Sequence, residues 1–526
     1  MPHDVTAYRR YAVGLRGYLK RPLAPSDCAA LLERQQSSSE ERFLRVLEHG
    51  VYANARSPYR RLLEHAGIEH GDVATLVRED GVGGALGRLY DAGVHIRLNE
   101  VKGRRPVERP GLEFPVSEHD FDNPLLLRHF EARSGGSRSA GKRTIVDLAH
   151  LEFEAAQFSL FCEPLELTDR PAAAWYPAPP GFAGLGAALV LAKLGRRVER
   201  WFSQTALRVR PSSARDVLLA GTAVGAGWVW GRGRIPWPEH VPLDRADTVA
   251  SWLAEKTALG APGMLATYPS AAVRACASAV DRGLDIAGTF FYLGGEPYTA
   301  QKARIVEQAG ARAVSWYGMT ETGSIGIPCG RSELPDEVHL LPYKVAVVRR
   351  PARIGPVELE TLLVTTLLPH APKLMLNMET GDFGVLEERD CGCALGAAGF
   401  REHLHAIRSH EKLTAAGTTF LGDDLLTLID EVLPARYGGG PDDYQLVEEE
   451  GVDGASRVTL VASPRLGELR DEEMLDTVFE HLSAKGRAPR LMVEVWRGGD
   501  TVRVARREPH ATVGGKVMPL HLLQPR

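Results

Sequence analysis

Short runs of β-branched and aromatic residues alternate with stretches of helical periodicity through the middle of this chain. The runs are RTIVDL (143–148), DVLLAG (216–221), GMLATYP (263–269), GTFFYLGG (288–295) and ARAVSWYG (311–318). Between them, DLAHLEFEAAQFSLF, RADTVASWLAEKTALG and PYTAQKARIVEQAG place apolar residues three to four apart, which predicts helices. Such alternation argues for an α/β fold with largely parallel sheets. Residues 1 to about 90 read as helices. From about 338 to 400 the pattern changes to strand-like segments with turns between them: HLLPYKVAVV, VELETLLVTTL and KLMLNMETGDFGVLEE. After 407 the order becomes helix (TTFLGDDLLTLIDEVL), strands (YQLVEEE, SRVTLVAS), helix (RDEEMLDTVFEHLSAKG) and a hairpin (LMVEVWRGG, TVRVARRE). The expected fold is therefore α/β. A large N-terminal domain (1–406) of stacked, mostly parallel sheets carries a β-rich subdomain, and a small α+β domain (407–526) follows it.

The 526 residues are enough for two such domains. A net charge of −4 leaves no footprint for a polyanion, so nucleic acid is not an expected partner. The most apolar stretch, GFAGLGAALVLAKLG, is too short to span a bilayer, so no membrane partner is expected. The start, MPHDVTAYRRYAVGLRGYLKRP, is too charged and broken for a signal peptide, so the expected compartment is the cytoplasm.

The stretch RSGGSRSAGKRT (133–144) comes close to a Walker A loop. Gly136, Gly141 and Lys142 fit, but Arg143 stands where a Ser or Thr would hold magnesium. In a Walker A loop a helix starts at the Lys; here a strand-like run follows. On its residues alone the segment is either a strand-to-strand loop whose backbone N–H groups, hydroxyls and Lys wrap a phosphate, or a flexible turn.

Two later segments change the reading: SWYGMTETGSIG (315–326), which contains Tyr317, Gly318, Thr320 and Glu321, and the tripeptide Thr380-Gly381-Asp382. Together with the Gly/Ser loop they resemble the adenylate-forming superfamily of acyl-CoA synthetases, adenylation domains and luciferases. SGGSRSAGK falls on that family's T-S-G-T-T-G-x-P-K loop, with Arg138, Ser139 and Gly141 as departures. Tyr317 to Glu321 match its Y-G-x-T-E motif throughout. GGKVMPL (514–520) resembles its catalytic-lysine segment, which gives Lys516. AIRSHEKLTAAGTTF resembles its hinge, with Arg408 and Gly417 in place, Ile407 for the hinge Gly, and His410 and Glu411 for the two acidic residues. The context looks closest to phenylacetate-CoA ligases and coenzyme F390 synthetases.

The resemblance implies ATP-dependent activation of a carboxylic acid as an acyl-adenylate, followed by transfer to a thiol. Coenzyme A or a carrier-protein phosphopantetheine would be the acceptor. An amine or hydroxyl acceptor, or transfer of AMP itself, is the alternative; a non-catalytic binding protein on this fold, or a P-loop NTPase, is a third. It also implies roles. Ser137, Ser139 and Lys142 would hold the β- and γ-phosphates, Arg138 would either add a phosphate contact or face solvent, and Ser134, Gly135 and Gly136 would belong to the same cofactor-binding loop. Tyr317, beside Gly318, would stack on adenine, with Gly295 and Glu296 lining its pocket. Thr320 would bond the α-phosphate, Glu321 would bind Mg²⁺, and Asp382 would accept from both ribose hydroxyls. Lys516 would bridge the acyl carboxylate and the ribose. Arg408 would mark the pivot of a C-terminal domain that is mobile between the two half-reactions, and the His410 departure bears on the second of them. An aromatic acid pocket would draw on Phe182, Phe290, Phe291, Tyr292 and Trp316.

Three cysteines and one histidine remain. Cys391 and Cys393 form a C-x-C, and Cys329 precedes His339 by ten residues. A set of three thiolates and one imidazole suits a closed, tetrahedral structural zinc site. Phenylacetate-CoA ligase-like proteins resemble this chain there too.

Overall fold

The computed structural model describes residues 2–101, 103, 105–133, 143–207, 214–231, 234–354, 357–409, 414–415, 418–419, 426–450, 456–483, 502–511, 517 and 520–523. Helices dominate the start, among them Pro2–Lys20, Pro25–Ser37, Pro58–His65 and His70–Asp91. Two hairpins follow: β1 (Val107–Arg109) with β2 (Leu112–Phe114), and β3 (Phe130–Arg133) with β4 (Arg143–Val146). Next come β5 (Ala172–Trp175), β6 (Val198–Ser203), β7 (Glu239–His240), β8 (Met264–Thr267), β9 (Phe290–Gly294) and β10 (Arg312–Met319). Then β11 (Gly323–Ile327), β12 (Val338–Leu340), β13 (Val345–Ile354), β14 (Val357–Thr366), β15 (Met378–Glu388) and β16 (Glu402–Ser409).

From β5 to β16 these strands form one 12-stranded sheet in the order β13-β14-β15-β16-β12-β11-β10-β9-β8-β5-β6-β7. The side from β10 to β7 is parallel and the side from β10 to β13 antiparallel. The strand-rich stretch from 338 thus joins the parallel strands edge to edge through the β10–β11 hairpin. In β5 and β8 every residue is buried, as expected where helices cover both faces. The first helix, Pro2–Lys20, packs with the parallel half through Tyr11, Leu15 and Leu19, whereas the helices after Ser38 pack on the antiparallel half: Phe43, Leu62, Leu63 and Val73 share a core with Leu340, Leu362, Val364 and Met378.

β17 (Thr414–Ala415) and β18 (Thr418–Thr419) pair with each other. A separate four-stranded sheet, β21-β20-β19-β22, comprises β19 (Tyr444–Glu450), β20 (Ser456–Ala462), β21 (Val502–Arg506) and β22 (Leu520–Leu523). It has its own core, including Leu428, Leu446, Leu460, Val478 and Val502. Its turn Pro441–Asp443 packs on the helix Pro269–Asp281 beside the large sheet.

Two local expectations differ from the structure. DVLLAG lies inside the helix Ala214–Val229. Its neighbours Ala223, Ala226 and Gly227 continue the buried face of Leu219 and Ala220 at helical spacing, and this longer period outweighs the short β-prone run. Within TTFLGDDLLTLIDEVL, Thr418–Thr419 is strand and Leu428–Val432 is π-helical, while 420–425 lie outside the described residues. LMVEVWRGG lies outside them as well.

Candidate active site and metal cluster

Tyr317 and Gly318 lie near the end of β10, which closes at Met319, and Thr320 to Thr322 turn the chain back into β11. The turn is tight enough to select its glycines. A Cβ on Gly318 would sit 2.5 Å from the Gly323 carbonyl oxygen. Gly323 has φ +73°, and a Cβ there would meet Glu154 Oε1 at 2.4 Å and His150 Nε2 at 2.5 Å.

Tyr317 reaches across to β15, where its hydroxyl donates to Asp382 Oδ2 at 2.8 Å. Burial, then the charge of Asp382, pushes the Tyr317 hydroxyl well above its ordinary range, so it stays a donor. The Asp382 N–H donates to Thr380 Oγ1 (3.1 Å), whose hydroxyl donates to the Leu362 carbonyl (3.1 Å). Asp382 pairs with Ser409 on β16, and its neighbour Phe383 pairs with Arg408. Tyr317 of β10 therefore meets the Thr-Gly-Asp segment of β15, beside the backbone of Arg408 on β16, although β11 and β12 stand between β10 and β16 in the sheet order.

Other segments hold the Thr320–Glu321 turn from outside. The Thr144 hydroxyl on β4 donates to the Thr320 carbonyl at 3.2 Å, and the Lys373 N–H donates to the Glu321 carbonyl at 3.0 Å. Beneath it, Glu154 on the helix Leu148–Cys162 accepts from the Ser324 N–H (3.1 Å) and hydroxyl (2.5 Å). Glu154 also pairs with the fully buried Lys344 ammonium and lies 3.4 Å from His150 Nε2. Burial alone would raise its carboxyl, but Lys344 and His150 hold it far below the usual range. Nothing in the local sequence pairs Glu154 with Lys344; the one signal is a charge among the apolar positions of its helix.

Ser134 to Lys142, including Gly135, Gly136, Ser137, Arg138 and Ser139, lie outside the described residues, as do His410, Glu411, Gly417 and Lys516. The flanks of the first loop are described. Arg133 pairs with Arg143 at the base of the β3–β4 hairpin, so a strand and not a helix follows Lys142. Gly295 (φ +82°) is exposed just beyond β9. The Glu296 carboxylate accepts from the Ser270 N–H and hydroxyl, each at 3.0 Å, at the start of the helix Pro269–Asp281. Of the aromatic residues, Phe290 and Phe291 are core, Tyr292 stacks on Trp316 (6.4 Å between centroids), and Phe182 lies 6.2 Å from Phe130.

The second constellation sits at the opposite end of β11. Cys329 follows that strand, His339 lies on β12, and Cys391 and Cys393 follow β15. Their ligand atoms all fall within 4.8 Å of one another. Cys329 and Cys391 sulfurs are 3.9 Å apart, and His339 Nε2 lies 3.6 Å from Cys391 Sγ and 3.4 Å from Cys393 Sγ. A tetrahedron with bonds of ~2.3 Å to sulfur and ~2.0 Å to nitrogen has edges of about 3.8 Å and about 3.5 Å, so the four atoms fit one small metal ion. Burial lowers the His339 imidazole to about 4, and its Nδ1–H donates to the Phe400 carbonyl at 2.6 Å. That tautomer aims the Nε2 lone pair at the sulfurs. Burial also pushes the Cys329 thiol up to about 12, so metal binding would displace its proton. Sequence reasoning missed the surrounding support: His403, 4.0 Å from His339 between ring centroids, is held by Glu337 (2.8 Å), which also pairs with Arg389.

No family model and no curated protein matches the chain. Solved structures do. A 2-hydroxyisobutyryl-CoA ligase, in complex with 2-HIB-AMP and CoA, is similar over 96% of this chain and 91% of its own, with a TM-score of 0.46 and 14% identity. Others are an anthranilate CoA ligase in complex with anthranoyl-AMP (TM-score 0.43, 12% identity, 74% and 65% covered) and the O-succinylbenzoate coenzyme A synthetase of Bacillus subtilis with ATP and magnesium (TM-score 0.42, 12% identity, 82% and 80% covered). No helix among the described residues is long and apolar enough to cross a membrane.

Proposed function

We propose that this chain is an adenylate-forming ligase that activates a carboxylic acid with ATP and passes the acyl group to a thiol, that of coenzyme A or of a carrier protein. One observation carries the reading. The residues matching the Y-G-x-T-E motif touch both other motif regions at once: Tyr317 bonds Asp382, and Thr320 accepts from Thr144, two residues beyond the Gly/Ser loop.

The residues suit the task. Asp382 keeps its second carboxylate oxygen for ribose hydroxyls while Tyr317 occupies the first. The Tyr317 ring offers a flat apolar face to adenine. Thr320 would bond the α-phosphate through its hydroxyl. Magnesium, held by Glu321, would neutralise phosphate charge. The Gly/Ser loop with Lys142 would take the β- and γ-phosphates, and Lys516 would approach the acyl carboxylate as charge builds there. Residues 407–526 would act as the lid that carries Lys516 in and out about Arg408. The cluster of three cysteines and His339 would hold zinc as a structural centre, with no part in the chemistry.

The test is pyrophosphate exchange into ATP over a panel of carboxylic acids, aromatic ones included. Exchange with one acid, lost in Lys516→Ala, is the expected result. Absence of exchange with every acid would overturn the reading. Adding coenzyme A or a carrier protein and weighing the products then identifies the acceptor; an amide, an ester or an AMP-linked product would replace the thiol.

A further inference from the structure

Arg143 stands where a Walker A loop would place its magnesium-binding hydroxyl, and the proposed function leaves it without a role. The structure gives it one. Its guanidinium pairs with Asp122, and also contacts Glu131 Oε1 (2.8 Å) and His119 Nδ1 (2.8 Å). The other oxygen of Asp122 accepts from the Lys373 ammonium at 2.7 Å. Lys373 donates as well to the Glu118 carbonyl (2.6 Å), and its backbone forms an antiparallel bridge with Asp122. All three side chains are withdrawn from water: Asp122 is 9% exposed, Lys373 7% and Arg143 16%.

These two cations belong to the two segments that hold the Thr320–Glu321 turn. Lys373 donates its own N–H to the Glu321 carbonyl. Arg143 adjoins Thr144, whose hydroxyl donates to the Thr320 carbonyl. One carboxylate, about 200 positions before the turn, thus fastens both struts, of which Thr144 precedes the turn in sequence and Lys373 follows it. We infer that Asp122 is a positioning residue: it fixes the backbone of Thr320 and Glu321, and so sets where the Glu321 carboxylate meets the magnesium of bound MgATP. It touches neither nucleotide nor metal. The inference rests on the proposed role of Glu321.

The test compares wild type with Asp122→Asn, Asp122→Glu and Thr144→Val. Asparagine keeps the shape but loses the charge that binds two cations. Thr144→Val removes one strut while leaving the carboxylate intact, and covers the case in which Asp122→Asn does not fold. Calorimetric titration with MgATP, and with ATP in excess chelator, separates the metal-dependent part of binding. Expected are about tenfold weaker MgATP binding in Asp122→Asn, a smaller loss in Thr144→Val, a clearly smaller loss of metal-free ATP binding in each, and partial rescue in Asp122→Glu. Hydrogen exchange of the peptide covering 319–324 should be faster in both weakened variants without any ligand. Wild-type MgATP affinity and wild-type exchange in Asp122→Asn and Thr144→Val would overturn the inference. Equal loss of MgATP and metal-free ATP binding would overturn it too, since the effect would then not run through Glu321. A wild type that binds no MgATP would sink the functional reading instead, and the exchange rates alone would then decide whether Asp122 positions the turn.

Discussion

The hydroxyl of Tyr317 and Oδ2 of Asp382 are 2.8 Å apart, joining β10 to β15 across 65 positions of sequence. Hydrogen bonds to a charged group contribute about 1.5–3 kcal/mol. Tyr317→Phe keeps the ring and removes the donor, so Asp382 is free to turn away from the ribose position. The KM for ATP is expected to rise about tenfold with little change in kcat, since the proposed stacking of the ring on adenine would be kept. Steady-state exchange kinetics measure both; an unchanged KM would mean that the pair does not orient Asp382 for nucleotide.

Glu154 and Lys344 form a pair in which the lysine side chain is fully buried. Glu154→Gln leaves that ammonium without its partner and should cost about 3–5 kcal/mol in urea unfolding. Glu154→Gln with Lys344→Met should cost much less than the single change. A pH series adds a sign. The Glu154 carboxyl is held below its ordinary 4.5 in the folded chain, so its stabilisation is complete above that value and fades as pH falls below it. Wild type should therefore lose stability on acidification more steeply than the Gln variant.

The Cys329, His339, Cys391 and Cys393 cluster is expected to carry one zinc per chain, read by elemental analysis of the purified protein. His339→Ala and Cys391→Ser should lose the metal and lower Tm by several degrees, because binding free energy at a structural site adds to folding free energy. Chelator should do the same to wild type and nothing more to the variants. Less than one zinc per chain in wild type would refute the assignment.

Asp442, 5% exposed, reaches from the Pro441–Asp443 turn toward Arg274, with 3.9 Å between Oδ2 and Nε. Burial raises its carboxyl to about 7; Arg274 and Lys302 oppose the rise, and Glu296 and Asp430 add to it. A raised folded value means that its stabilisation is complete below the ordinary 3.8 and is lost as pH climbs through about 7. Asp442→Asn cannot ionise. Its Tm should match wild type near pH 3 and exceed it by a margin that grows up to about pH 7 and then levels off; parallel curves would show that Asp442 does not titrate in this range.

Much of this was legible in the sequence because the informative residues lie close together in it. Tyr317 to Glu321 are contiguous, and so are Thr380 to Asp382. The C-x-C with Cys329 and His339 announced a tetrahedral set before the strands brought it together. Glu154, Asp122, Glu337 and His403 were not legible, because each gains its meaning from a partner on another element: Lys344 lies 190 positions from Glu154, and Lys373 lies 251 from Asp122. The run DVLLAG misled because six residues of β-prone type say nothing of the helical period that extends beyond them. The continuity of the large sheet was hidden for a related reason. The antiparallel hairpin that joins its halves is the Tyr317–Glu321 motif itself, whose composition reads as function and not as architecture.

That hairpin has a practical use. β11 starts just after the turn carrying Glu321 and ends two residues before Cys329, so a five-residue strand, about 17 Å of extended chain, lies between the two constellations. Cobalt exchanged into the sulfur-rich cluster would be a coloured reporter one strand away from the turn proposed to bind nucleotide. Its visible absorption, followed during an ATP titration, would give an optical signal of occupancy with no label attached to the protein and no knowledge of the acid required.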